Sequence, residues 1–247
     1  MKINSTKIVI SVLIMILFSS CFSSQNIIHS MNTQKVSLQY LLDSDMKKDK
    51  KDVKIFLNDI VMRDSLMPQK CLIETEKSFT LPLLIVNIWN ATYNIKIGQN
   101  VIKGNYKAFL RDNFINHINR SGNFRITNQQ DSANYFLTLY VDSTRSECKY
   151  YEGGNFIFLV FGYSYSGYEQ ALVGNSTFKI RYSLIKNNEQ IRNNGAAKKS
   201  STNFIIKKYK DNIELRHNTL SNMAESLSIS IKNCLDFIVE DLNTYFQ

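Results

Sequence analysis

Histidine, cysteine and serine are the side chains of this chain that could carry catalytic chemistry, and their spacing forms no catalytic pattern. His29, His117 and His217 lie far apart, and neither Cys-x-x-Cys nor His-Glu-x-x-His occurs. Zinc sites use such spacings because neighbouring ligands must reach one ion from the same side. The Gly-x-Ser-x-Gly elbow and the glycine-rich phosphate loops are also absent from the sequence. We therefore predict no enzymatic activity, no metal site and no cofactor.

Cys21 is the one reactive side chain in a distinctive position. Lys2 and Lys7 precede an apolar run over residues 8–18. This arrangement suits a signal peptide, and the run is short for a transmembrane helix. Two serines stand directly before Cys21. This arrangement resembles the lipobox of bacterial lipoproteins, which implies that residues 1–20 are removed and that the Cys21 thiol is acylated with a palmitate-type chain. An ordinary signal peptide, cleaved without lipidation, is the alternative.

The residues after Cys21 bear on where the anchored chain would reside. They read Phe-Ser-Ser-Gln-Asn, with no aspartate and no acidic cluster. By resemblance to lipoprotein sorting, this favours the outer membrane, with the protein facing the periplasm.

The net charge bears on the partner. It is +9 for the whole chain and 9 − 2 = +7 once the two signal-peptide lysines are removed. Export makes nucleic acid an unsuitable partner, whereas anionic lipid headgroups or an acidic glycolipid suit a basic surface. A solvated basic surface without a ligand is the alternative, because the basic residues are scattered.

Residues 21–70 are predicted to be a tether with one short helix. Residues 22–35 are polar and irregular in composition. Over residues 53–61, apolar side chains recur at i, i+3, i+4, i+7 and i+8, which predicts an amphipathic helix. This helix would dock on the following domain or lie on the membrane.

Residues 71–247 are predicted to form one α+β domain. Residues 79–88 are rich in Leu, Ile and Val, which predicts a buried strand. Apolar patterns predict further strands near 124–127, 135–142, 178–184 and 190–200, and helices over 106–118 and 220–245. Two amphipathic helices need an apolar surface, which one face of a sheet supplies. The expected fold is a two-layer α+β sandwich, a mostly antiparallel sheet with two amphipathic helices on one face.

Three further cysteines remain after Cys21. Cys234 stands among the apolar residues of the last helical pattern and is interpreted as core packing. An odd number allows at most one disulfide. A Cys71–Cys148 bridge is possible in an oxidising periplasm, and the sequence leaves it open.

The segment 150–168 has an unusual composition, because a continuous apolar run is flanked by tyrosines on both sides. Three interpretations compete: a core strand buried on both faces, a loop that inserts into a partner or an acyl-chain region, and an edge that receives another strand. Tyrosine at both ends is typical of membrane interfaces. The candidate contact residues with a partner or membrane are Phe156, Phe158, Phe161, Tyr163 and Tyr165.

The order of these elements resembles the lipopolysaccharide-assembly lipoprotein family (LptE-like) and related lipoproteins that assist lipid transport. The similar pieces are Phe-Leu-x-x-x-Phe-Ile-x-x-Ile from Phe109, Arg-Ser-Gly-Asn-Phe-Arg-Ile from Arg120, the strand from Asp131, and Phe-Lys-Ile-Arg-Tyr-Ser-Leu from Phe178. The resemblance covers residues 79–246. It implies a non-enzymatic accessory that binds an envelope protein partner. A purely structural lipoprotein, or an enzyme acting on an envelope polymer or lipid, is the alternative.

Overall fold

The computed structural model describes residues 24–40, 50–62, 66–82, 86–159, 162–202 and 212–247. Its elements are, in chain order, helix α1 (described over 24–32), β1 (Lys54–Met62), β2 (Leu72–Pro82), β3 (Val86–Lys96), α2 (Tyr106–Ser121), β4 (Arg125–Thr127), β5 (Tyr135–Leu159), β6 (Gly162–Lys186), β7 (Glu189–Thr202) and α3 (Asn212–Tyr245).

The hairpin of β5 and β6 runs through the whole sheet. Both strands have 25 residues, and their antiparallel register extends from Phe136 opposite Ile185 to Leu159 opposite Gly162. On the other edge of β5, β1 pairs in parallel near its start and β3 pairs antiparallel near its end. The strand β4 lies outside β1, β2 lies outside β3, and β7 lies beside the second half of β6.

Helix α3 covers one face of this sheet. Its buried stripe includes Leu220, Leu227, Ile231 and Leu235, and the strand β6 buries Phe178 and Ile180 beneath it. Helix α2 packs beside α3, and its first turn is capped by the Asn105 side chain, which accepts a hydrogen bond from the Ala108 amide. The predicted fold class, a two-layer α+β sandwich, is confirmed.

The described helices can also be compared with the dimensions of a bilayer. None of them is both long enough and apolar enough to cross a membrane.

Lys54–Met62 form the strand β1, so the prediction of an amphipathic helix over residues 53–61 is wrong. β1 pairs with both β4 and β5. A register shift between Leu57 and Asp59 inserts one extra residue into the strand, and Ile55, Leu57 and Ile60 are buried as a result. The bulge lengthens the spacing between buried side chains from two residues to three. Spacings of two and three along the same strand resemble the periodicity of a helix.

Residues 24–40 pack into the core, so the predicted irregular tether over 22–35 is also wrong. Within α1, Ile27 and Met31 lie one helical turn apart and are buried. Val36 then forms a parallel bridge with Ile102. Together with β1, these contacts extend the packed unit N-terminally of the boundary predicted at residue 71.

The three described cysteines are buried free thiols. Cys71 precedes β2 and Cys148 lies in β5, so that β3 stands between their strands. The Cys71–Cys148 disulfide that the sequence leaves open is not formed in this structure. Cys234 packs in α3 beneath β6, where its thiol lies 3.4 Å from the Phe178 carbonyl oxygen.

Candidate functional site: an uncharged aromatic arm

Two stretches of the chain have no charged residue, and the sheet brings them side by side. Residues 78–95 and 153–168 contain no Asp, Glu, Lys or Arg, although 21% of the chain is charged. The register places Asn87 opposite Phe156 and Trp89 opposite Gly154. The hairpins β2–β3 and β5–β6 therefore form one uncharged, four-stranded end of the sheet. We call residues 78–82, 86–92, 153–159 and 162–168 the arm, and the rest of the described chain the body.

The arm extends past the described start of α3. The side chains of Asn212 and Arg216, in the first two turns of α3, donate to the Glu169 carboxylate at 2.9 and 2.5 Å. From there α3 follows β6 as far as Tyr182, whose hydroxyl donates to Asp241. Residues 162–168 of β6 thus lie beyond the described part of this helix, and at about 3.3 Å per residue they extend roughly 23 Å past it.

A buried charged cluster fixes the base of the arm. The side chains of Glu169 and Arg216 are only 7% and 12% exposed, and Tyr150 also donates its hydroxyl hydrogen to Glu169. Burial and the neighbouring Glu169 raise the pKa of Tyr150. Burial alone would lower the pKa of Arg216, but its hydrogen bonds and charge attraction to Glu169 raise it. These satisfied charges clamp the start of α3 to the strands that carry the arm.

The arm's helix-side face carries stacked aromatic rings. Residues two apart on a strand share a face, so Tyr163, Tyr165 and Gly167 lie on the same side as Glu169. Tyr165 stacks on Trp89 with ring centroids 5.7 Å apart, and Tyr163 stacks on Phe156 at 5.3 Å.

Glycine permits these rings to lie against the strands. A Cβ atom on Gly154 would stand 2.5 Å from Cζ2 of Trp89, and one on Gly167 would stand 2.6 Å from the Tyr165 hydroxyl oxygen. Both contacts are too short for a real side chain. The stacked arrangement therefore depends on glycine at these two positions.

The opposite face of the arm is also apolar and exposed. Phe79 is 54% exposed, and Leu81, Ile88 and Tyr168 are exposed as well. The Tyr168 hydroxyl donates to the Asn90 side-chain oxygen at 2.9 Å, which holds the ring over Gly153. Both faces of the arm therefore present large apolar side chains to the surroundings.

Charged pairs resume where the arm joins the body. On the open face of the sheet, the ammonium nitrogens of Lys96 and Lys149 lie 2.5 and 3.1 Å from carboxylate oxygens of Glu74 and Glu76. Further along, Arg181 forms a bidentate pair with Asp142. Along each of these strands, the side chains thus change from charged to uncharged over a few residues.

The contact residues predicted from the sequence differ in whether the structure describes them and in how exposed they are. Cys21 and Phe161 lie outside the described residues. Phe158 pairs with Tyr163 in the β5–β6 ladder. Phe156 is half-buried, whereas Tyr163 and Tyr165 are 71% and 64% exposed. The flanking tyrosines are therefore on the surface, whereas the side chains of residues 158–161 lie outside the description, and contact with a partner or a membrane stays a prediction.

The sequence reasoning missed the other half of the arm. Residues 79–88 were expected to form one buried strand. They instead include the end of β2 at Pro82 and the start of β3 at Val86, and Phe79, Leu81 and Ile88 are exposed. Trp89 was not singled out. The available signal was the absence of charge over residues 78–95, which matches the same absence over 153–168.

Several titratable groups of the body pair with one another between neighbouring elements. Nε2 of His117 in α2 lies 3.4 Å from Asp236 in α3, and Asp236 also pairs with Lys232. Arg192 bonds to Asp241 and, with burial opposing it, lowers the pKa of that carboxyl. Within the described ranges, no group of three or more His, Cys, Asp or Glu residues could hold a metal ion.

No family model matches this chain, and none of the curated proteins compared with it matches. Among solved structures, it is similar to the crystal structure of protein XCC0632 from Xanthomonas campestris, described as DUF330. That likeness has 8% sequence identity and a TM-score of 0.44, and it covers 87% of this chain and 99% of the other.

Proposed function

We propose that this protein is a non-enzymatic lipoprotein of the bacterial outer membrane that serves envelope assembly or lipid transport as an accessory. Cys21 carries the lipid anchor, and the body faces the periplasm. The arm contacts a protein partner in the envelope. The arm carries this proposal. Six of the twelve exposed large apolar side chains in the described residues belong to it.

The energetic argument concerns the cost of exposure. Burying a large apolar side chain stabilises a protein by about 1.5–3 kcal/mol relative to leaving it in water. A contiguous set of exposed apolar side chains on an ordered element is typical of interaction surfaces. The net charge of +7 after signal removal supports an anionic neighbour, such as a lipid headgroup or an acidic glycolipid.

The anchor can be tested by metabolic labelling with a palmitate analogue. The wild-type chain is expected to incorporate the label, and the Cys21→Ser variant is expected to lose it. Equal labelling of both would contradict lipidation at Cys21.

The partner can be tested with a photo-crosslinking amino acid placed at Phe79, on the open face of the arm. The matched control is the same amino acid at Ile229, an exposed apolar position of α3. An adaptor is expected to give one discrete protein adduct from position 79 and none from position 229. A purely structural lipoprotein would give no discrete adduct from either position.

A further inference from the structure

We propose that the helix-side face of the arm binds a neutral carbohydrate chain, whose sugar rings lie on the side chains of Trp89, Tyr163 and Tyr165. Phe79, where the proposed function expects a protein partner, is on the opposite face. The inference goes beyond that function by adding a ligand of a different chemical class. Only the place where the carbohydrate is met, the bacterial envelope, rests on the proposed function.

The register of the four strands determines which residues share the helix-side face. Glu152 pairs with Glu169, which is bonded to Arg216 of α3, so this row lies on the helix side. Residues two apart on a strand point to the same side. The next two rows toward the end of the arm are therefore also on the helix side, and they are Trp89–Gly154–Gly167 and Asn87–Phe156–Tyr165.

The two faces of the arm differ in the kind of apolar side chain that they carry. The aliphatic residues Leu81, Val86, Ile88 and Ile157 all take positions on the open face. The two helix-side rows given above contain no Leu, Ile, Val or Met, and their apolar side chains are aromatic rings. Aliphatic groups suit the apolar core of a protein interface. Rings set among glycine and small polar residues suit a ligand that is partly apolar and partly polar.

A sugar is a ligand of this kind. Its C–H groups cover the faces of the ring and carry a small positive partial charge, whereas its hydroxyl groups surround the edge. The face of an aromatic ring is negative and attracts such C–H groups. Hydroxyl and amide side chains both donate to and accept from sugar hydroxyls, and Thr80 and Asn87 supply these groups beside the rings.

The rings are accessible, and they are held in place before any ligand arrives. Tyr163 and Tyr165 are 71% and 64% exposed, although each stacks on a second ring, Phe156 and Trp89 respectively. Side chains that are already ordered lose less entropy on binding. The two tyrosines are two residues apart, which is about 6.6 Å along the strand. This is the scale of one sugar unit, so neighbouring units of a β-linked chain can each contact one tyrosine.

Glycine keeps the rings low on the sheet. The position of a Cβ atom on Gly154 is taken by the Trp89 ring, and that on Gly167 is taken by the hydroxyl end of Tyr165. Both rings therefore cover the glycine row and do not project away from the strands. The result is a broad aromatic surface on a flat part of the sheet, which suits an extended sugar chain.

The charges around this surface indicate that the ligand is neutral. The nearest carboxylates on the helix side are already engaged: Glu169 pairs with Arg216, and Glu152 accepts the Tyr93 hydroxyl hydrogen at 3.1 Å. The arm itself has no charged residue. A charged ligand would thus gain no ion pair with the described residues of this face.

The experiment uses Trp89, which is the only tryptophan of the chain. The full-length protein is titrated with two neutral probes, a tetramer of β-linked N-acetylglucosamine and a tetramer of β-linked glucose. We expect a saturable change in the Trp89 emission with at least one of them, and the same Kd by calorimetry. The Kd should not depend on salt concentration, because no charges are paired on binding.

Two tyrosines of the same strand provide matched variants. Tyr165→Ala removes a ring from the helix-side face and is expected to weaken binding by roughly threefold to tenfold. Tyr168→Ala removes a ring that is 53% exposed on the open face and is expected to leave the Kd unchanged. Tyr165→Phe keeps the ring and should retain most of the affinity. Thermal unfolding in buffer shows whether each variant is folded.

Two envelope sources contain neutral sugar chains, and the same calorimetry separates them. One sample is glycan strands released from the cell wall, and the other is polysaccharide released from an envelope glycolipid. The sample that binds the wild-type chain, and binds Tyr165→Ala more weakly, identifies the source.

Four results would overturn the inference. They are the absence of saturable binding with both tetramers, an equal loss of affinity in Tyr165→Ala and Tyr168→Ala, and a Kd that rises steeply with salt. The fourth is concentration-dependent association of the protein that Tyr165→Ala abolishes, which would assign this face to a second copy. None of them affects palmitate labelling or the adduct from position 79, so the proposed function would stand.

Discussion

The body and the arm belong to the same sheet, but different forces hold them. In the body, Phe178, Ile180 and Tyr182 are fully buried beneath α3. In the arm, the same strand β6 continues with Tyr163 and Tyr165 exposed, although its ladder with β5 continues to Gly162. Hydrogen bonds therefore extend along the whole hairpin, whereas burial ends where α3 begins.

This difference separates two roles of apolar side chains. In the body they contribute free energy of folding because α3 removes them from water. In the arm they are held in place by the strand ladder, by ring stacking and by the clamp at Glu169, and they remain available for contact. The following predictions compare matched changes in the two regions.

The largest difference is expected between two phenylalanines. Phe178→Ala removes a fully buried ring beneath α3 and should lower the free energy of unfolding by about 3–5 kcal/mol. Phe79→Ala removes an exposed ring of the arm and should change it by at most about 0.5 kcal/mol. Urea denaturation of both variants measures the difference. Similar losses would mean that the arm is packed as tightly as the body.

The second comparison concerns the charges at the base of the arm. Glu169→Ala leaves the buried guanidinium of Arg216 without its partner and should cost about 3 kcal/mol of unfolding free energy. Glu76→Ala breaks the exposed pair with Lys149 and should cost about 0–1 kcal/mol. Denaturation curves of the two variants test this order. If Glu169→Ala were as mild as Glu76→Ala, the clamp would not hold the base.

The third comparison concerns two glycines of the arm. Gly154→Ala places a methyl group 2.4 Å from the Ser166 carbonyl oxygen and 2.5 Å from the Trp89 ring, and should cost about 1 kcal/mol or more while changing the Trp89 emission spectrum. Gly162→Ala meets no atom within 4 Å and should alter neither quantity. Fluorescence spectra of the folded variants provide the measurement. An unchanged spectrum for Gly154→Ala would contradict the close packing of Trp89.

The last expectation changes no residue and concerns the cysteines of the body. Cys71, Cys148 and Cys234 are buried thiols, so maleimide should label none of them in the folded protein and all three after unfolding. Burial raises the pKa of Cys234 from 9.0 to about 11. The unfolded thiol therefore ionises first, and stability is expected to fall as the pH rises from 9 to 11. Mass spectrometry and denaturation at several pH values measure these two outcomes.

Long regular elements could be predicted from the sequence, because their periodicity extends over many residues. The stripe from Leu220 to Tyr245 predicted α3, and the alternation from Phe178 to Leu184 predicted part of β6. β1 could not be predicted, because the bulge after Leu57 makes a strand resemble a helix. α1 was missed because two buried side chains, Ile27 and Met31, are too few to form a pattern.

The candidate site was half predictable for a related reason. The alternating tyrosines of residues 163–165 marked one hairpin of the arm, and they are exposed. Residues 79–88 were read as buried, because an apolar strand in a sequence carries no sign of whether a helix will cover it. Trp89 became part of the site only through its partner Tyr165, which lies 76 positions further along the chain.

By itself, the sequence determined the type of most long elements, the absence of charge over residues 78–95 and 153–168, and the signal-like start before Cys21. These are properties of local order and composition. Only the tertiary structure decided that the two uncharged stretches form one arm, because strand register joins residues far apart in sequence. It also decided which apolar side chains are exposed, because the bonds from Arg216 to Glu169 set the point on β6 at which α3 begins to cover the sheet.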